Sequence, residues 1–217
     1  MTEGLRERKK RQTRQRISEV ATGLFVERGF DHVTIAEVAA AAEVSVNTVY
    51  NYFEAKEDLV LPPEEASPQR LADIVRARPP GMSAARAVLD HLREEARRRD
   101  RRLGLTEGFG RFLEMMRAAP TLTARLEELG SQMTDALAAT LAEETGAAQD
   151  APLPRLVAWQ LGSLHSLVLQ EIGRRTSAGQ SPDAIAEAVL ELLDAVEDVL
   201  GERVLTYAVR KDRPCSE

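Results

Sequence analysis

Residues 45–53 gather the side chains best suited to chemistry at a polar surface: Ser45, Val46, Asn47, Thr48, Val49, Tyr50, Asn51, Tyr52 and Phe53. At helical spacing Val46, Asn47, Tyr50 and Asn51 share one face, while Val49 and Phe53 share the opposite one. An outer face of polar groups of medium reach is what an α-helix needs to read base edges in the DNA major groove. Thr48, Tyr52 and Lys56 flank that face and can donate to phosphates, which fix register without reading sequence.

The elements needed to hold such a helix are written just upstream. Ser45 is a helix cap, and a helix as short as 46–52 is stable only when packed on neighbours. Thr34 and Glu37 have the spacing of a capping box and open a preceding short helix with Ile35, Val38 and Ala39. Two short helices joined by a tight turn match a helix-turn-helix. Before them, Ile17, Val20, Ala21, Leu24 and Phe25 form one apolar helical stripe, ended by Gly29 and Phe30. The same pattern is compatible with an ordinary surface hairpin of Ala-rich helices. The charge distribution separates the two readings.

The chain has 217 residues and a net charge of −6, which taken whole argues against a nucleic-acid partner. That acidity is uneven. Residues 1–56 hold 9 Lys and Arg against 8 Asp and Glu, whereas residues 57–217 hold 20 against 27. Arg6, Arg8, Lys9, Lys10, Arg11, Arg14 and Arg16 crowd into the first sixteen positions, an arm leading straight into the candidate reading helices. A solvated, frayed terminus is the alternative for the arm taken alone.

Composition sets the class. Alanine supplies 31 residues and aromatics only 9, which favours helices over strands, and no strand-like alternation of useful length occurs. The expectation is an all-α chain. No apolar run reaches the length of a membrane span, and the basic arm leads into an amphipathic helix rather than an apolar signal core, so a cytoplasmic location is expected. Cys215 is the one cysteine, so neither a disulfide framework nor a cysteine-based zinc site can form within the chain. His32, His91 and His165 have no metal-ligand spacing, and no nucleophile elbow, phosphate loop or dinucleotide fingerprint is present. No catalytic residue, metal or cofactor is expected. A helical adaptor without DNA affinity is the competing class, but it has no reason to place Asn47, Tyr50 and Asn51 on an outer face.

The first sixty or so residues resemble the N-terminal DNA-binding domain of the TetR family of bacterial transcriptional regulators. The resemblance is carried by Ala21, Leu24, Phe25, Gly29 and Phe30, by Thr34, Ile35, Val38 and Ala39, and by Val44 and Ser45. It continues through Thr48–Phe53 and ends with Lys56, Glu57, Asp58 and Leu59. It implies that Val46, Asn47 and Tyr50 face base edges, and that Thr34, Ser45, Thr48, Asn51, Tyr52 and Lys56 contact the DNA backbone. It further implies a DNA-binding domain over residues 10–70 and a helical ligand-binding and dimerisation domain over 71–217. The expected function is a homodimeric repressor released from a palindromic double-stranded operator by a small-molecule effector. Two departures stand out: Glu43 occupies a turn position where the family commonly has glycine, and Pro62-Pro63 interrupt a fourth helix that opens at Lys56 and resumes near Leu71.

Beyond residue 71 the residues read as a punctuated bundle. Pro79, Pro80 and Gly81 form a break, Ser83 caps a helix, Pro120 stops one, and Asp150–Pro154 read as a linker. Ser181, Pro182 and Asp183 start the last long helix, and Gly201 stops it. Ile185, Val189, Leu192, Val196 and Val199 make a heptad seam on that helix, which with Leu161, Leu164 and Val168 is the candidate dimer interface. Packing into the chain's own core explains the stripe equally well; the need for two reading heads favours the dimer. Phe109, Phe112, Met115, Met116, Met133, Trp159 and His165 are the candidate effector pocket, with plain core as the stronger competing reading. Arg93, Arg97, Arg98, Arg99, Arg101 and Arg102 form a basic cluster that reads as a solvated face or as a seat for an anionic effector.

Overall fold

The computed structural model describes residues 4–61, 66–106, 108–148 and 150–211, and every regular element among them is helical. Pro62, Pro63 and Cys215 lie outside the described residues, as does the side chain of Arg102. Two compact units emerge: one from Met1–Ala66 with Arg111–Leu126, the other from Ser67–Gly110 with Glu127–Glu217. The expected division at residue 70 was continuous in sequence; here residues 111–126 return to the first unit.

The first unit begins with α1 (Leu5–Arg28), which absorbs the basic arm as its N-terminal half. The helix therefore starts a dozen residues before the Ile17 stripe. Its apolar face is confined to the second half, where Ile17, Ala21 and Phe25 are fully buried. A 3-10 turn (Phe30–His32) leads to α2 (Ile35–Ala41) and α3 (Val46–Tyr52). The core joins those α1 residues to Phe30, Val33, Val38, Ala39, Val49, Phe53 and Leu59. Phe25 and Phe30 meet edge to face at 5.0 Å. Lys56 does not open a fourth helix: Glu57–Leu59 form a single 3-10 turn. Ser18 donates to the Leu59 carbonyl at 2.6 Å and the Ala55 amide to Asp58 at 3.1 Å, so this turn is tied to α1 and to itself.

The second unit contains α4 (Arg70–Ala77), α5 (Ala84–Arg98), most of α7 (Pro120–Thr145), α8 (Pro152–Ser177), α9 (Pro182–Val199) and the short α10 (Glu202–Leu205). Ser83 and Ser181 cap α5 and α9 as expected. The 150–154 segment is shorter as a linker than its prolines suggest, because Pro152 and Pro154 enter the first turn of α8, where a missing amide costs nothing. Leu71, Val88, Leu89, Leu92, Leu137, Leu141, Leu161, Val168, Val189 and Leu193 build one core from five helices. At Gly162 an added Cβ would meet the Thr134 hydroxyl at 2.5 Å, so glycine sets the close approach of α7 to α8. The segment after α10 straps the α4–α5 turn: Gly81 donates to Arg210, and Arg210 to Met82. Buried Arg78 completes the strap by donating to the Ala208 carbonyl and to Glu144.

This core corrects the proposed dimer seam. Leu161, Leu164, Val168, Ile185 and Val189 are buried within the chain itself, because α9 packs on α5 and α8 with its most apolar stripe inward. Leu192 and Val196 are half-buried against the same core, and Val199 alone of the set stands exposed. Within the expected basic cluster, Arg93, Arg98 and Arg99 are held in ion pairs rather than forming an open seat. Arg93 pairs with Asp194 at 2.7 Å and Glu197 at 2.6 Å, Arg86 with Glu197, and Arg99 with Asp183, all across to α9. Arg98 pairs with Glu94 on its own helix at 2.5 Å.

Candidate nucleic-acid interface

Each helix of the 34–53 motif is positioned by its caps. Thr34 accepts from the Glu37 amide at 3.2 Å while the Thr34 amide donates to Glu37 at 2.8 Å, completing the capping box. Arg28, in the last turn of α1, adds a bond to the free oxygen of Glu37 at 2.6 Å. The Thr34 amide, the Arg28 guanidinium and the Thr34 hydroxyl together lower the Glu37 carboxyl from 4.5 to about 2. Ser45 caps α3 by accepting from the Thr48 amide at 3.0 Å, with the two hydroxyls 2.8 Å apart.

The turn between the helices closes as a Schellman motif. Val44 donates to the Ala39 carbonyl and Glu43 to that of Ala40, at 2.9 and 3.1 Å. Glu43 takes the left-handed position with φ 54°. The glycine expected there is replaced by a residue that pays for its Cβ, and its side chain is exposed.

Val49 and Phe53 turn into the core, and the opposite face of α3 stands clear. Val46, Asn47, Tyr50 and Asn51 are all exposed, Tyr50 by 58%. Thr34 and Ser45 are exposed at the helix starts, while Thr48 and Tyr52 lie half-buried at the flanks. An unpaired apolar or aromatic side chain so placed has no structural work within the chain. The arm adds positive charge on the exposed first turns of α1, where cations oppose the helix dipole instead of complementing it. Such charge is of the sign that an anion outside the helix complements.

Lys56 behaves differently from the other expected contacts. Its ammonium donates to the Phe30 carbonyl at 2.5 Å and lies over the Phe30 ring at 4.3 Å and the Phe25 ring at 5.4 Å. It is thus a strut of the unit's core first. Arg14 similarly lies over the Phe53 ring at 5.1 Å, tying the arm to the end of α3. Sequence alone missed both roles, since cation–π partners 26 and 39 residues away leave no local pattern.

The seven expected pocket residues are divided between the two units. Met115 and Met116 from α6 (Phe109–Ala118) are buried in the first unit's core with Ala119 and Leu122, and Phe112 packs on the same core. Arg125 extends this attachment, 3.6 Å from buried Asp58. Met133 and Phe109 belong to the second unit's core, and Trp159 is 63% exposed. His165 is half-buried on α8 of that unit, within electrostatic reach of Arg70, Glu95 and His91. Among the described residues no group of three or more His, Cys, Asp and Glu is placed to hold a metal, and no helix is long and apolar enough to cross a membrane.

Comparison with known proteins follows the same lines. Residues 17–61 match the family described as "Bacterial regulatory proteins, tetR family", which spans α1 from its apolar stripe to the turn after α3. The chain is 29% identical over 210 residues to the HTH-type transcriptional regulator TcmR of Streptomyces glaucescens, covering 91% of this chain and 88% of that one. The solved structure of NalD, the secondary repressor of the MexAB-OprM multidrug efflux pump in Pseudomonas aeruginosa, superposes with a TM-score of 0.55 at 22% identity. That superposition covers 85% of this chain and 96% of NalD. A SmeT–triclosan complex superposes equally well, with a TM-score of 0.55 at 17% identity, over 95% and 100% of the two chains. These last two likenesses describe the fold. With a helix-turn-helix whose caps, turn and core all coincide with the matched segment, residues 17–61 are a DNA-binding segment of the tetR family of bacterial regulatory proteins.

Proposed function

We propose that this regulator is a homodimeric repressor that binds a near-palindromic operator and leaves it when a small molecule occupies the second unit. DNA binding is assigned to residues 10–70, with 71–217 as the sensing and dimerising part. The carrying observation is the exposed face of α3, where Val46, Asn47, Tyr50 and Asn51 serve nothing inside the chain. Val46, Asn47 and Tyr50 are assigned to base edges, and Thr34, Ser45, Thr48, Asn51 and Tyr52 to phosphates. Lys56 holds the unit together and reaches a phosphate only by giving up the Phe30 carbonyl. The protein acts in the cytoplasm, where the chromosome is.

Two reading heads need a dimer, with α3 helices about 34 to 36 Å apart, one turn of B-DNA. Because the heptad seam is internal, the second copy is assigned to the outer side of α8 and the end of α9. There Leu153, Leu156, Trp159, Leu167, Leu169 and Val199 are the large apolar side chains left exposed. Exposed apolar groups on neighbouring helical turns mark an interaction surface, and a two-fold contact is self-complementary. The acidic outer face of α9, with Glu187, Glu191 and Asp198 exposed, keeps this part of the molecule away from DNA.

Selection of bound sequences from a random DNA pool, followed by anisotropy titration at several salt concentrations, tests the reading. A recovered palindrome bound with steep salt dependence is expected. Recovery of no sequence, or of binding without salt dependence, overturns it.

A further inference from the structure

The second unit encloses a polar cluster that no step of DNA binding uses. Arg70, the first residue of α4, grips the Glu95 carboxylate through one terminal nitrogen, with bonds of 2.6 and 2.7 Å. His91, one turn before Glu95 on α5, stands 3.2 Å from the same carboxylate. Glu95 is buried, and the carboxylate is thereby fully engaged. The Arg70 Nε is not: it is buried without a hydrogen-bond acceptor. A charged group's N–H left so is costly, and native interiors resolve the cost with a water or a ligand oxygen.

His165 of α8 is the fourth member. It is half-buried on α8 and within electrostatic reach of Arg70, Glu95 and His91. Burial and the charge of Arg70 bring its pKa down to about 4, against an opposing pull from Glu95 and with a further lowering from His91. It is therefore neutral at neutral pH, with one ring nitrogen to donate and one to accept, and no hydrogen bond to it occurs among the described residues. The helices that carry the four groups also contribute Leu71, Leu92, Leu161 and Leu164 to the buried apolar core of the unit.

We propose that Arg70 and His165 form the polar end of the effector site, which takes an uncharged, mainly apolar molecule carrying a carbonyl or hydroxyl oxygen. Charge balance selects the class. Arg70 is already neutralised by Glu95, so the site offers hydrogen bonds without a spare positive charge, and an anion would face Glu95 uncompensated. Apolar walls with few directed polar groups are the general form of a small-molecule site. The proposal rests on the effector-release reading above, and the test separates the two.

Calorimetry with 1-naphthol, naphthalene and 1-naphthoate as probes decides it. 1-Naphthol is expected to bind about tenfold or more tightly than naphthalene, the yield of one or two buried hydrogen bonds, and more tightly than 1-naphthoate. The advantage over naphthalene is expected to vanish in His165→Leu and in the paired variant Arg70→Met with Glu95→Gln, which leaves no lone buried charge. The imidazole nitrogen resonances of His165 in the unmodified protein, expected to shift with 1-naphthol and not with naphthalene, supply a readout that needs no variant. Equal binding of naphthol and naphthalene, preference for naphthoate, an advantage that survives in either variant, unmoved His165 resonances, or no binding of any probe overturns the site, leaving a bound water on Arg70. Operator affinity is followed in parallel by anisotropy. Binding of 1-naphthol without operator release overturns effector release and leaves the site standing, whereas release by other compounds with no naphthol binding does the reverse.

Discussion

Tyr50 carries its phenol into solvent at the centre of the α3 face, whereas Lys56 turns its ammonium inward onto Phe30. Both belong to the same motif and both were expected at DNA, yet their substitutions separate cleanly. Tyr50→Ala removes nothing from the core, so urea denaturation should place its stability within about 0.5 kcal/mol of the parent. Its discrimination between operator and mismatched operator should fall by about 1 kcal/mol or more, read by competitive anisotropy. Lys56→Ala removes a hydrogen bond and two ring contacts together, and should cost about 1 to 2 kcal/mol of stability by the same denaturation. A Lys56→Ala protein as stable as the parent would return Lys56 to a purely DNA-facing role. Residue type placed both at DNA, Tyr50 on base edges and Lys56 on phosphate; the 26-residue contact from Lys56 to the Phe30 carbonyl is what turns the lysine inward.

At the scale of elements, the α2–α3 turn and its caps are where local chemistry decides most. Glu43 holds φ 54° in a Schellman turn, a position that costs a residue with a Cβ about 1 kcal/mol relative to glycine. Glu43→Gly should therefore raise stability by about 1 kcal/mol in urea melts without moving α3, and a fall would mean that the glutamate carboxylate has a stabilising role of its own. The capping box makes a pH prediction. The Glu37 pKa is lowered in the folded state from 4.5 to about 2, first by the Thr34 amide and then by Arg28. Its contribution is complete above the ordinary carboxylate range and is lost as pH falls through that range toward 2. Melting temperatures of the parent and of Glu37→Gln should differ at pH 6 and converge by pH 2. A constant gap would show that the carboxylate charge is not what stabilises α2. The capping pattern was legible in sequence because its partners lie three residues apart. The missing fourth helix was not: Leu59 and Val60 have the apolar character of a helix face, but Leu59 is drawn into the α1 core and the chain turns after one 3-10 turn.

At the scale of the whole molecule, the outcome turns on which apolar stripe meets which. The seam through Ile185 and Val189 faces α5 and α8 of its own chain, so Val189→Asp buries a charge in a closed core. That variant should fail to fold, or lose several kcal/mol of stability. Trp159→Glu with Leu156→Glu, on the exposed side of α8, should fold normally and sediment as a monomer. A folded Val189→Asp monomer would restore the heptad seam as the interface, and an intact dimer of the α8 double variant would move the contact elsewhere. Residues 111–126 carry a related lesson. Their Met and Phe stripe has the composition of a pocket, and Met115, Met116 and Leu122 instead complete the core of the DNA-reading unit.

Read by itself, the sequence determined whatever rests on neighbours within a turn or two: the all-helical class, the caps at Thr34, Ser45, Ser83 and Ser181, and the split of α3 into an outer and an inner face. Each of these depends on spacing of three, four or seven residues, which helix geometry converts directly into direction. Tertiary structure alone decided the destination of every buried stripe. Burial is non-directional and proportional to area, so an apolar face identifies that it will be covered and leaves the covering partner to the packing of helices far apart in sequence. The pairing of Arg70 with Glu95, the inward turn of Lys56 and the internal fate of the α9 seam all follow from that second level.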